Sequence, residues 1–219
     1  MKLVIGNKNY SSWSLRPWLL LSAFNVEFDE IQESLSQEGI QERFSNYSPS
    51  CKVPVLIDGE LNIWDSLAIC EYISEQYLAG KGWPEDIRKR AEARAICAEM
   101  HAGFMALRNE MPMNCRATRT LELSNAAKTD NSRIDSIWSY YTEQNSHIGP
   151  WLFGDFSIAD CFFAPVAFRF STYGISLSVA AQKYSSLLLN HKSMTQWREA
   201  ALLEEEIITR DETGIENEI

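Results

Sequence analysis

The sequence predicts a small α/β domain at residues 1–79, followed by an all-α helical domain at residues 85–219. Short apolar runs of strand length alternate with helical patterns only in the first third of the chain. The stretch GKGWP at 80–84 predicts a linker, because glycine and proline interrupt regular structure. Beyond it the apolar residues recur almost purely at helical spacing.

The predicted order in the first domain is β-α-β-(α)-β-β-α. Its elements are a strand at 3–5, a helix at 14–25, a strand at 26–33, a hairpin at 53–64 with an Asp-Gly turn, and a helix at 67–77. We expect Ser14 to cap the first helix, and Pro17 is tolerated in its first turn.

The second domain is predicted to contain helices at 85–112, 117–146, 157–170, 176–190 and from 193 onward. Pro112 ends the first of these runs. Before the helix at 157–170, Ser157 and Asp160 have the spacing of a capping box, in which the two side chains satisfy free backbone N–H groups.

Composition excludes several classes of partner and cofactor. The net charge of −10 makes nucleic acid and anionic membranes poor partners. Five cysteines without a CxxC motif indicate reduced thiols, and three widely spaced histidines form no metal-ligand motif. The first apolar run is too short for a signal peptide or a membrane span, so we expect a cytoplasmic protein. The acidic stretch from Glu204 onward is predicted to be a solvated tail.

Three short motifs lie where predicted strands end or helices begin: SSWS at 11–14, KVP at 52–54 and WDSLAI at 64–69. Asp65 or Ser66 is the expected N-cap, and a helix N-terminus there would attract a carboxylate while Asp65 held an ammonium group. A cis Val53–Pro54 bond would turn the Val53 backbone toward a peptide-like ligand. Lys52 is either a partner for a second carboxylate or a solvated surface residue.

Ser11 and Ser12 are not needed as helix caps. No histidine lies near them in sequence, and a serine without a base is a poor nucleophile. A hydroxyl can still donate a hydrogen bond to a bound thiolate. Such a bond is worth roughly 1.5–3 kcal/mol, which lowers a thiol pKa by about one to two.

With these motifs in order, the sequence resembles the cytosolic glutathione transferase superfamily over essentially the whole chain. SSWSLR at 11–16 is similar to the SSCS-x-R stretch of the serine-type zeta class, although Trp13 replaces its cysteine. KVPVL at 52–56, DSLAICEYI at 65–73 and SIAD at 157–160 are similar to further motifs of the superfamily. Residues 98–116 resemble a bacterial and plant branch. The resemblance implies a thioredoxin-like first domain and a homodimer.

The resemblance also implies roles for individual residues. Ser11, with Ser12 in support, would hydrogen-bond the glutathione thiolate, and Val53, next to Pro54, would pair with the cysteinyl backbone. Asp65 and Ser66 would bind the γ-glutamyl end, with Lys52 and Gln37 near the glycine carboxylate. The expected second-substrate pocket comprises Trp13, His101, Phe104, Met105 and Arg108.

Several alternatives stay open. Trp13 either shapes that pocket or packs between the domains. Arg108 either binds an acidic substrate or pairs with Glu110 or Asp65. The expected activity is attack of the thiolate on a small electrophile, as in detoxification. Glutathione-dependent cis-trans isomerisation of the zeta type and a non-catalytic binding module are the alternatives.

Overall fold

The structure is a computed structural model that describes residues 1–216. Its first part has the predicted order of elements. They are β1 (Lys2–Ile5), α1 (Ser12–Ala23), β2 (Asp29–Gln32), α2 (Ile40–Ser45), β3 (Val55–Asp58), β4 (Leu61–Trp64) and α3 (Ser66–Tyr77). The sheet order is β2-β1-β3-β4, with β1 parallel to β2 and antiparallel to β3. This is the expected thioredoxin-like arrangement of a mixed sheet with helices.

Two boundaries in this part differ from the prediction. Strand β2 is shorter than residues 26–33, because β1 offers only four residues to pair with it. Helix α1 begins at Ser12, so the expectation that Ser14 caps it is wrong. Ser14 lies inside the helix, where its Oγ accepts a hydrogen bond from the Gly6 backbone N–H at 3.1 Å.

The second part is helical, as predicted. Its helices are α4 (Ile87–Ala102), α5 (Met105–Glu110), α6 (Asn125–Asn145), α7 (Ile158–Thr172), α8 (Val179–Leu189) and α9 (Lys192–Leu202). Two short strands, β5 (Arg119–Thr120) and β6 (Ile215–Glu216), pair with each other. The capping box before α7 is present, with Asp160 Oδ2 accepting from the Ser157 N–H at 2.9 Å.

The predicted helix at 85–112 is broken into α4 and α5. Gly103 lies so close to the preceding turn that an added Cβ would stand 2.8 Å from the Glu99 carbonyl oxygen. Phe104 then has a φ of 59°, in the left-handed region, which ends α4 and redirects the chain. His101 and Arg108, which one unbroken helix would place on the same face, therefore lie on different helices.

The acidic stretch after α9 is not a solvated tail over residues 204–216, and the rest of that prediction lies outside the described residues. Glu204 and Glu206 accept hydrogen bonds from the loop after β1, and Glu212 pairs with Arg119. The buried Ile208 anchors the stretch. The prediction failed because net charge says nothing about donors that tertiary folding brings nearby.

One continuous hydrophobic core joins both parts of the chain, from Leu3 and Ile5 in the sheet to Trp138 and Phe163 in the helices. Helix α1 packs on α3 and on α7 and so connects the two parts. The division into domains at 1–79 and 85–219 stays a prediction. Among the described residues, no helix is long and apolar enough to cross a membrane, and no group of three or more His, Cys, Asp or Glu is placed to hold a metal ion.

Candidate functional site

A cleft of about 510 Å³ brings the three sequence motifs together. It is lined by Trp13, Ser50, Lys52, Val53, Pro54, Trp64, Asp65 and Ser66. The strand ends and helix starts that carry these residues meet because β3 and β4 form a hairpin that leads directly into α3. The Val53–Pro54 peptide bond is cis. A larger cavity, about 750 Å³, lies at the linker and contains none of the predicted site residues.

Asp65 caps α3, as predicted. Its Oδ1 accepts hydrogen bonds from the N–H groups of Leu67 at 2.8 Å and Ala68 at 3.4 Å. The side chain lines the cleft and remains 45% exposed. Ser66 is buried directly below it. The positive end of the α3 dipole thus lies at the same place as a carboxylate.

The second carboxylate oxygen of Asp65 contacts the helical part of the protein. Asp65 Oδ2 lies 3.1 Å from His101 Nε2 at the end of α4. Burial lowers the pKa of His101, and the nearby Asp65 charge opposes this effect only in part. The other ring nitrogen, Nδ1, is buried and has no partner among the described residues. His101 therefore reaches the cleft from across the interface between the two parts.

Trp13 lies between two arginines. The guanidinium carbon of Arg16 is 4.4 Å from the Trp13 ring centre, and that of Arg108 is 4.6 Å from it. The His101 ring meets the indole edge-on at 5.2 Å. Trp13 therefore lines the cleft and packs against the helical part, while its role in a second-substrate pocket stays a prediction.

Arg16 is a buried cation without an acidic partner among the described residues. It is 2% exposed, it donates only a long hydrogen bond to Ser66 Oγ at 3.4 Å, and its Nε has no partner. Burial, with a smaller contribution from the Arg108 charge, lowers the pKa of Arg16 to about 9. Arg16 still carries its positive charge at neutral pH, beneath the residues that line the cleft.

Arg108 does not pair with Glu110 or Asp65. Its guanidinium donates to the carbonyl oxygens of Met100, His101 and Gly103, which are left free where α4 ends. Glu110 instead accepts hydrogen bonds from Ser124. Because its donors bond these carbonyl oxygens, Arg108 caps the C-terminal end of α4. Its guanidinium also packs on the Trp13 ring.

The two candidate serines differ in their surroundings. Ser11 stands at the N-cap position of α1 and is 5% exposed, and its hydroxyl donates to Ser14 Oγ at 2.7 Å. Ser12 is the first residue of α1 and is 9% exposed. Neither lines the cleft directly, although both precede Trp13, which does. Their predicted role at a thiolate stays a prediction.

Three other predicted residues lie outside the cleft. Gln37 is exposed, and its Nε2 makes a long hydrogen bond to the Leu35 carbonyl at 3.5 Å. Phe104 is buried at the break between α4 and α5, while Met105 is 57% exposed. Ser50 and Trp64 also line the cleft and were not predicted to. Trp64 begins the WDSLAI motif, and Ser50 lies two residues before the KVP motif.

The fold indicates the class of protein. A thioredoxin-like part is joined to a helical part, which is the arrangement found in glutathione transferases. A family model described as "Glutathione S-transferase, N-terminal domain" matches residues 10–76. The predicted resemblance is confirmed: residues 10–76 are similar to the N-terminal domain of glutathione S-transferases, and the chain has the glutathione transferase fold.

Individual proteins show the same similarity. A "Probable maleylacetoacetate isomerase" of Caenorhabditis elegans is 27% identical over 177 residues, which are 77% of this chain and 78% of that protein. A solved maleyl pyruvate isomerase, a bacterial zeta-class protein, superposes with a TM-score of 0.72 at 21% identity, covering 92% of this chain and 98% of the other. A glutathione transferase homolog from Burkholderia, with bound glutathione, gives 0.71 at 22% identity over 92% and 97%.

Proposed function

We propose that this protein is an enzyme that binds glutathione in the cleft and activates its thiol as a thiolate. The observation that carries the proposal is the convergence of Asp65, Lys52 and the N-terminus of α3 on one cleft next to the start of α1. Glutathione carries one ammonium and two carboxylate groups at neutral pH. Asp65 suits the ammonium, while the N-terminus of α3 and Lys52 suit the two carboxylates.

In the proposed mechanism, the peptide backbone of glutathione pairs with Val53, beside Pro54, and its thiol lies at the start of α1. Ser11, whose hydroxyl turns away from Ser14 Oγ when glutathione binds, or Ser12 in its place, donates a hydrogen bond to the sulfur and so favours the thiolate. The thiol proton leaves to solvent, and the thiolate attacks a small electrophile held against the helical part. Trp13 and His101 form the wall of the cleft on that side.

The experiment is a titration of glutathione into the protein at several pH values, monitored by the ultraviolet absorbance of the thiolate. Ser11→Ala and Ser12→Ala are matched variants that each remove one hydroxyl. The variant that removes the activating hydroxyl is expected to bind glutathione nearly as well but to raise the pKa of the bound thiol by about one to two. No shift in either variant would refute activation by serine, and absence of binding would favour a non-catalytic module.

A second candidate function is glutathione-dependent cis-trans isomerisation, in which the thiolate adds to a cis-enedione and later leaves. The similarity to proteins named as maleylacetoacetate and maleyl pyruvate isomerases favours this candidate. The two functions share one glutathione site, so substrates must separate them. Slow conjugation of aryl halides together with rapid isomerisation of a cis-enedione would identify an isomerase.

Two further expectations belong to this proposal. Homodimers are typical of the family, and we propose that this chain forms one. Sedimentation or light scattering would test the dimer. The cytoplasmic location that the composition predicts remains a prediction.

A further inference from the structure

The loop between β1 and α1 is polar yet almost wholly buried. Its residues Asn7, Lys8, Asn9 and Tyr10, here called the polar loop, are between 0 and 8% exposed. They lead directly into Ser11 and Ser12. A buried polar backbone needs hydrogen-bond partners, so the partners of the polar loop determine where the two serines stand.

The most direct partner is Glu204, nearly 200 residues away in the sequence. One of its carboxylate oxygens accepts from the Lys8 N–H at 2.6 Å, and the other accepts from the Asn9 N–H at 2.9 Å. A carboxylate that accepts two successive backbone N–H groups fixes the orientation of both peptide units, because ionised acceptors make the stronger hydrogen bonds. Arg116 holds the Glu204 carbonyl in turn.

The opposite side of the polar loop is held by neutral groups. Trp197 Nε1 donates to the Lys8 carbonyl at 2.8 Å, and the Asn9 side chain bonds Asn114 at 2.9 Å. The loop is thereby fixed between the helical part and the stretch that contains Glu204. Among the described residues, Glu204 is the charged group that bonds the loop backbone at these two positions.

The position of Ser11 follows from the same loop. The Ser11 N–H donates to the Asn7 carbonyl at 2.8 Å, and the Tyr10 N–H donates to it at 3.2 Å. The peptide units that Glu204 holds therefore lie inside the turn that this contact closes. A rotation of the Lys8 or Asn9 peptide would change the direction in which Ser11 enters α1.

We propose that Glu204 is a positioning residue for the serine that activates the glutathione thiol. It touches neither glutathione nor the reacting atoms, and it acts through the backbone of the polar loop. The inference rests on the proposed function. Through this backbone contact Glu204, in the acidic stretch after α9, sets the pKa of the bound thiol.

The test uses Glu204→Ala and Glu204→Gln in the full chain, with Glu205→Gln as a matched control. Glu205 is exposed and adjacent, and its substitution removes the same charge. The amide that Glu204→Gln introduces keeps one acceptor oxygen, while the carboxylate offers two. We therefore expect Glu204→Ala to have the larger effect and Glu204→Gln an intermediate one. The control should match the unmodified protein.

Glu204→Ala is expected to raise the thiol pKa of bound glutathione by roughly 0.5 to 1. The thiolate fraction near neutral pH should then be about three- to tenfold smaller. The turnover number should fall in proportion, while glutathione affinity stays within about threefold, since Asp65 and Ser66 are untouched. In a background that already lacks the activating serine, Glu204→Ala should cause no further rise in the thiol pKa.

An unchanged thiol pKa in both Glu204 variants would overturn the inference while leaving the proposed function intact. An equal rise in the Glu205→Gln control would also overturn it, because the effect would then be one of net charge. If the unmodified protein failed to ionise glutathione, the proposed function and the inference would fall together. Should Glu204→Ala not fold, Glu204→Gln alone decides.

Discussion

Replacing Asp65 by asparagine is expected to weaken glutathione binding while leaving the protein as stable as before. Oδ1 of Asp65 caps α3 through the Leu67 and Ala68 N–H groups. Oδ2 lies 3.1 Å from His101 Nε2, but the side chain is 45% exposed, so an ammonium group can still reach it. Asparagine keeps the capping oxygen but replaces the second oxygen by an NH₂ group. It also tolerates the φ of 78° at this position better than most residues do.

The magnitudes follow from this geometry. Asparagine and aspartate are nearly equal as N-caps, so the free energy of unfolding should change by less than about 0.5 kcal/mol. A hydrogen bond between charged groups contributes roughly 1.5–3 kcal/mol, equivalent to about 10- to 100-fold in the dissociation constant. Because Asp65 is 45% exposed, solvent screening places the expected loss near the lower end, about tenfold.

Two measurements check this prediction. Calorimetric titration gives the glutathione affinity, and urea unfolding gives the stability. Asp65→Ala should lose both the affinity and the cap, which costs about 1 kcal/mol. Glu60→Gln, at the exposed turn of the hairpin, serves as a charge control in the same part of the protein.

The reasoning would be refuted in either of two ways. Unchanged affinity in Asp65→Asn would show that the carboxylate does not hold the ammonium group. A loss of stability equal to that of Asp65→Ala would show that the amide does not replace the cap.

Two further predictions concern stability. Asp160 accepts hydrogen bonds from the Leu152 N–H, the Tyr184 hydroxyl and the Ser157 N–H and hydroxyl. Asp160→Asn replaces one of the two acceptor oxygens by an NH₂ group and leaves donors without an acceptor. The free energy of unfolding, measured in urea, should therefore fall by about 2–5 kcal/mol. Burial lowers the pKa of His101 below its usual 6.5, so the unfolded chain binds this proton more readily. Stability should therefore fall as the pH drops below about 6.5, and His101→Gln should make that fall smaller in urea unfolding between about pH 5 and pH 8.

Local chemistry was enough to predict the helix starts at Asp65 and Ser157. In both cases a short polar residue stands directly before an apolar helical run. The Asp65 carboxylate accepts from the N–H groups two and three residues later, whereas the Ser157 N–H donates to the Asp160 carboxylate three residues later. Ser14 looked equally suitable. Its actual partner is the Gly6 N–H, and local sequence does not show which of three neighbouring serines a strand end will contact.

The break at Gly103 was missed for a related reason. Helical spacing continues across it, and one glycine within such a pattern is often tolerated. The turn depends on a close approach between Gly103 and the Glu99 carbonyl, and on the guanidinium of Arg108 that covers the free carbonyl oxygens. Arg108 contacts Trp13, and its role as a cap depends on the break itself.

The role of Glu204 was beyond local sequence reasoning. Its partners are backbone N–H groups, which every residue except proline carries, so nothing in the side chains of Lys8 and Asn9 indicates them. The acidic composition of the stretch from Glu204 onward then favoured the prediction that its side chains lie in solvent. The available signal was the run of polar residues at 7–10 directly after a buried strand, since a polar loop next to a core strand needs partners from elsewhere.

The charges around the cleft favour a ligand with more carboxylate than ammonium groups. Asp65 is the acid among the described lining residues, whereas Lys52 and the N-terminus of α3 are positive. Arg16 adds a buried positive charge beneath them, with its Nε unpaired and no acidic partner among the described residues. An uncompensated buried cation is costly, and a bound anion nearby would reduce that cost. Glutathione, with two carboxylates, one ammonium and a thiolate, offers this balance of charge.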